Sequence, residues 1–164
     1  MKQHFLMMAS YNRWANARLY GEVAGLSDEL YRRDVGVFFK SLHGTLSHLL
    51  VTDRIWMGRF DGTGGHPDNP NAILIDDLAS LHEARKAEDE RIVRYVDALS
   101  ENDFDRVLAY KKRDGTPQRG MIGELLAHLF NHQTHHRGQA HAALTVLGIV
   151  EPKPLDLFAM QREK

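Results

Sequence analysis

Ten histidines in a 164-residue chain with no cysteine mark where chemistry could occur. Histidine is the commonest protein metal ligand and the side chain that titrates nearest neutrality. His128, His132, His135, His136 and His141 crowd one segment near the C-terminal end. Histidines four apart on a helix stand one above the other, so such a pair can chelate one ion. Three registers are available: His128 with His132, His132 with His136, or His132 with His135. His128 and His136 lie about 12 Å apart along a helix axis, too far to share a metal.

A helical wheel discriminates among them. Ile122, Leu125, Leu126, Leu129, Ala140, Ala143, Leu144 and Leu147 define one apolar stripe. At about 100° per residue, His136 falls close to its centre and His132 roughly 60° away. His128 and His135 fall roughly 100° or more from it, toward the flank or water. His132 and His136 are therefore expected to point inward. Two readings of the pair remain: core histidines satisfied by hydrogen bonds, or ligands of one ion. An unpaired polar group in a core costs ~1–3 kcal/mol, and a shared metal satisfies two at once.

A third ligand has to come from another element, with His4, His43, His48, His82 and the carboxylates as candidates. His48 lies roughly opposite the apolar stripe of its segment, on a face with Ser41, Gly44, Thr45 and Thr52. That placement counts against it, although small neighbours leave room for a cavity. Asp53 falls within the stripe of Leu42, Leu46, Leu49, Leu50 and Trp56. A buried carboxylate needs a donor or a cation. Asp53 could orient a ligand histidine, or bond structurally to another helix, and the second reading is favoured.

The elements that must position these residues read as four helices. Apolar recurrence at three and four predicts helices over about 3–25, 38–60, 76–99 and 122–147. Gly25 lies near the end of the first, and Gly148 is placed as a C-cap of the last. Ser27-Asp28-Glu29 predicts a cap and a short helical turn. Residues 61–71 carry three glycines, two prolines and two asparagines and read as a loop, long enough for a crossover. Glu83, Lys86, Glu88, Asp89, Glu90 and Arg91 read as a solvated face. Alternation from Val107 to Lys111 and the Asp114-Gly115 turn signal predict a short hairpin or an extended loop between 105 and 119. The expected fold is all-α: one domain over 1–164, a four-helix bundle with a long loop between the second and third helices.

Composition narrows the function classes. Basic and acidic residues number 21 and 22, for a net charge of -1, so no nucleic-acid partner is expected. Without cysteine there is no thiolate ligand or cysteine nucleophile, and any thiol must come from outside. No segment reads as a membrane span or a signal peptide, so no membrane partner and a cytoplasmic location are expected.

Three segments resemble the DinB family, which includes YfiT-like proteins. They are Tyr11-Asn12-Arg13-Trp14-Ala15-Asn16, His48-Leu49-Leu50-Val51-Thr52-Asp53-Arg54-Ile55-Trp56 and Asn131-His132-Gln133-Thr134-His135-His136-Arg137-Gly138-Gln139. The resemblance implies a four-helix bundle with a metal held by one histidine on the second helix and an HxxxH pair on the fourth. Those positions are His48, His132 and His136. Three neutral imidazoles leave a dication with open positions, the ligand set of a catalytic more than a structural centre. Zinc is the first expectation and nickel the second. The family's thiol-dependent transferases and isomerases imply a small-molecule substrate and activation of a low-molecular-weight thiol for transfer to an electrophile. Tyr11 and Arg137 are candidates for binding an anionic thiol. The alternatives are a metal-dependent hydrolase using bound water and a non-catalytic metal-binding stress-response protein. A homodimer is compatible with the exposed helix faces of a bundle.

Overall fold

The computed structural model describes residues 1–63, 67 and 69–163. The expected loop over 61–71 therefore falls partly outside the described residues, at 64–66 and 68. The elements are α1 (Lys2–Val23), α2 (Asp28–Arg32), α3 (Leu42–Phe60), α4 (Leu78–Ala98), a 3₁₀ turn (Glu101–Asp105), β1 (Val107–Lys111), β2 (Pro117–Met121), α5 (Ile122–Val146) and α6 (Leu157–Arg162). The molecule is mostly helical, with one two-stranded antiparallel sheet that corrects the strictly all-α expectation. The reason is local: the 107–121 segment alternates too regularly and turns too sharply to wind. Val107 pairs with Met121 and Lys111 with Pro117, and Leu108 and Tyr110 turn toward the core.

Caps set the helix boundaries. Ser27, Ser41 and Asp77 accept from the backbone amides of Leu30, Gly44 and Ser80 and start α2, α3 and α4. At the end of α5, Gly148 adopts φ 96° while its amide reaches Thr145 and that of Ile149 reaches Leu144. These two bonds form a Schellman motif, and glycine alone enters the left-handed position without strain. Gly25 has no such role, because α1 stops at Val23 on an ordinary right-handed cap at Ala24.

The core has two apolar clusters. One joins Phe5 and Ala9 to Met57, Phe60, Ile92, Val96 and Leu126. The other joins Leu19 and Val23 to Leu42, Leu46, Leu81, Ala140 and Leu144. The start of α1 thus lies with the end of α3, the end of α4 and the start of α5. Helices α3 and α4 run parallel, which agrees with the crossover expectation. Helix α1 packs against α4 and α5, and α3 packs against the same two.

Between the clusters, at mid-length on all four long helices, lies a polar layer. Arg85 lies 2.8 Å from Asp53 and 3.0 Å from Asp89. Asn12 and Asn16 donate to Asp89 at 3.0 and 2.9 Å. Arg137 donates to Asn12 and, at 3.3 Å, to Gln133, which donates to the Leu49 carbonyl. Two sequence expectations change here. Glu88 and Asp89, placed on a solvated face, are buried. The centre of the α5 stripe is Gln133 and Arg137, which moves His136 to its edge. A wheel weighted by apolar residues misses such a layer, because charge pairing lets polar side chains occupy core positions.

Candidate metal centre

The three histidines expected from the sequence are brought together. Candidate ligand atoms of His48, His132 and His136 all lie within 4.8 Å of one another. His48 comes from α3, and His132 and His136 from successive turns of α5. His48 Nε2 lies 3.1 Å from His132 Nε2. Ring centroids are 4.4 Å apart for His132 and His136 and 4.7 Å for His48 and His136.

Local structure explains why His48 takes part. The wheel placed it opposite the apolar stripe, yet sixteen of the 19 residues of α3 are buried, so that helix has almost no outer face. Phe39 stacks on the His48 ring at 3.9 Å. A Cβ at Gly44, one turn earlier on α3, would collide with the Phe39 carbonyl, so the glycine lets that segment close over the histidine. The other candidates are engaged elsewhere. His4 packs on Phe5, His43 on Tyr31 and Arg32, and His82 on Tyr20.

Hydrogen bonds set the ring tautomers. His48 Nδ1 lies 2.8 Å from the Pro70 carbonyl, which can only accept, so the proton sits on Nδ1 and Nε2 is left as an acceptor facing His132 Nε2 and the Thr52 hydroxyl. His136 Nδ1 donates to Gln139 Oε1 at 2.8 Å, which frees its Nε2 likewise. Outer bonds of this kind orient metal-binding imidazoles. Burial, then His136 and His48, hold the His132 pKa far below its ordinary value, at about 3. Burial also lowers His48, against the pull of the Pro70 carbonyl, and His136, against that of Gln139. All three are neutral at physiological pH, the form a metal requires.

The donor set fits a divalent transition ion. Two nitrogens on one tetrahedral ion at about 2.05 Å stand roughly 3.3 Å apart, close to the His48–His132 separation. The cluster could hold a metal, and no carboxylate joins it among the described residues. His128 and His135 are exposed, as the wheel expected; His128 packs on Trp56 and His135 meets Gln139. Asp53 is fully buried against Arg85, the structural of its two readings. Arg137 is 2% exposed and committed to the polar layer, and the Tyr11 hydroxyl donates to the Leu155 carbonyl, so neither is free for an anion.

Sequence reasoning missed Phe39, Pro70 and Gln139. Gln139 carried a signal, since it lies three residues beyond His136 on the same helix. The Pro70 carbonyl carried none, because any residue offers one. Also missed was a cavity of about 480 Å³ that none of the three histidines lines but that reaches the neighbours of His48. Thr52 and Pro70 line it, and the Thr52 hydroxyl is 3.5 Å from His48 Nε2.

Among the described residues no helix is long and apolar enough to cross a membrane. A family model described as DinB family matches residues 1–163. Protein DinB of Bacillus subtilis (strain 168) is 26% identical over 175 residues, which take in all of this chain and 99% of that protein. No solved structure matches the chain.

Proposed function

This chain belongs to the DinB family, and on that premise we propose that it is a metal-dependent enzyme in which His48, His132 and His136 hold one divalent ion, zinc before nickel. The four long helices form a four-helix bundle in this reading. The observation that carries it is the convergence of three neutral imidazoles, two of them with Nε2 left unprotonated by the bonds at Nδ1, close to a cavity of ligand size. Three protein donors leave coordination positions open for a reactant.

A metal ion held there supplies a positive charge that stabilises a bound thiolate at neutral pH. The chain has no thiol, so the nucleophile is a low-molecular-weight thiol taken up from solution. Pro70 and Gln139 keep the His48 and His136 rings oriented. Phe39 covers one face of His48, which limits water on that side and leaves the cavity side for the reactants. Thr52 offers a hydroxyl on the cavity wall, 3.5 Å from His48 Nε2. Thiol transfer is favoured over hydrolysis because no described carboxylate stands at the cluster as a general base, and Asp53 is tied to Arg85.

The test is thiol consumption with bacillithiol, mycothiol or glutathione and several electrophiles, with the protein metal-free or loaded with zinc or nickel. Metal-dependent turnover lost in His132→Ala is the expected result. No turnover with any thiol, in protein that holds one metal per chain, overturns thiol transfer and leaves hydrolysis or non-catalytic metal binding.

A further inference from the structure

The cavity beside His48 has an electrostatic character that the histidines do not explain. Four cationic side chains line it: Arg59 from α3, and Lys111, Lys112 and Arg113 from the end of β1 and the turn that follows. Among the described residues no carboxylate lines it, although Asp114 shares the adjoining opening with Arg59, Lys112 and Arg113. The whole chain is near neutral, so this is a local concentration of positive charge.

Arg59 is the most informative of the four. Its guanidinium stands 4.6 Å from the centre of the Trp56 ring and 4.8 Å from that of Tyr110. Its one hydrogen bond among the described residues is a long one, 3.5 Å, to the Lys111 carbonyl, and its buried Nε has no partner. Half-buried Arg91 is ion-paired with Asp61 and Glu88, fully buried Arg85 with Asp53 and Asp89, and Arg137 is held by Asn12 and Gln133. Burial works against the charge of Arg59, and no described carboxylate offsets that. Two aromatic rings fix the guanidinium in place, with its donors left for something outside the chain.

We propose that this cavity binds a small organic anion, whose carboxylate or phosphate is taken by Arg59 and the hairpin cations while its apolar body lies over Ile55 and Pro70 toward His48. The planar fork of Arg59 suits either group, and Lys111, Lys112 and Arg113 add charge at the mouth. A cavity of about 480 Å³ takes a small molecule. That this anion is a reactant of the histidine centre rests on the function proposed above; the binding of the anion does not.

The test is calorimetric titration of the full chain, metal-free and zinc-loaded, with benzoate, phenyl phosphate, inorganic phosphate and benzyl alcohol. Benzoate or phenyl phosphate is expected to bind more tightly than benzyl alcohol in both forms, with the preferred one identifying the acidic group. Arg59→Gln is expected to weaken that binding about tenfold. The double variant Lys112→Gln, Arg113→Gln changes exposed residues only and is expected to weaken it about threefold and flatten its salt dependence. That variant decides the matter if Arg59→Gln does not fold. Zinc uptake, titrated separately, is expected to be unchanged in both. Equal binding of benzoate, phenyl phosphate and benzyl alcohol, anion binding that survives both changes, or binding of a single-stranded oligonucleotide with no small anion bound overturns the proposal. Failure of the wild type to bind zinc while it still binds the anions overturns only the metal centre.

Discussion

Helices α3 and α5 each carry polar groups to two places, and the two places are built on opposite principles. At mid-length, Asp53 and Arg137 point into the core, where Asp53 meets Arg85 and Arg137 meets Asn12. Asp53, Arg85 and Asp89 pair their charges there, and Arg137 is held by the neutral amides of Asn12 and Gln133. Toward one flank, His48, His132 and His136 gather uncharged ring nitrogens close to a cavity. The core layer draws its ion-pair partners from the chain itself, whereas the histidine cluster could take an ion from outside. Burial alone does not mark a functional polar group; what separates the two regions is whether the chain supplies the partner.

The comparison can be broken by removing one member from each. Asp53→Ala leaves Arg85 buried beside an empty position, and breaking such a pair costs ~3–5 kcal/mol. Urea denaturation is expected to show that loss, with zinc content per folded molecule unchanged. His132→Ala is expected to do the reverse. Metal analysis falls from about one ion per chain to near none, while the stability of the metal-free protein moves by no more than ~1 kcal/mol. Equal stability losses in the two variants would erase the distinction. A milder probe is Gln139→Ala, which removes the acceptor from His136 Nδ1. Zinc affinity is expected to drop about tenfold, measured by chelator competition.

The smallest effect is on pH dependence. His132 is held at a pKa of about 3, against an ordinary 6.5. Below pH 6.5 the unfolded chain takes up a proton there that the folded chain does not. That contribution to the stability of the metal-free protein is complete above pH 6.5 and is lost as pH falls toward 3. Denaturation midpoints between pH 6.5 and 5 are expected to fall less steeply in His132→Ala than in the wild type. An identical slope would show that His132 protonates freely in the folded state.

Much of the molecule is legible along the chain. Apolar recurrence located the four long helices, because a helix that buries one face must repeat at three and four. The Asp114-Gly115 signal located the hairpin. The spacing of His132 and His136 selected the α5 pair, and its exposed neighbours His128 and His135 fell where the wheel put them. The core face of α4 was less legible. Its apolar stripe has a gap between Leu81 and Ile92, and Arg85, Glu88 and Asp89 fill it. That gap, at helical spacing with the correct charges, was the available signal for the polar layer.

What the sequence determined by itself is therefore local and periodic: which segments wind, the caps at Ser27 and Gly148, and which two histidines share one face of α5. Choosing His48 over His4, His43 and His82 needed either the family resemblance or the packed chain, because that choice depends on how α3 faces α5 and how Phe39 and Pro70 close around the ring. The cavity with its four cations was decided by tertiary structure alone. Arg59 and the residues 111–113 are far apart in sequence, and each reads singly as an ordinary exposed charge. Only the fold of the hairpin against α3 brings them to one wall, since electrostatic effects depend on distance in space, which sequence separation does not record.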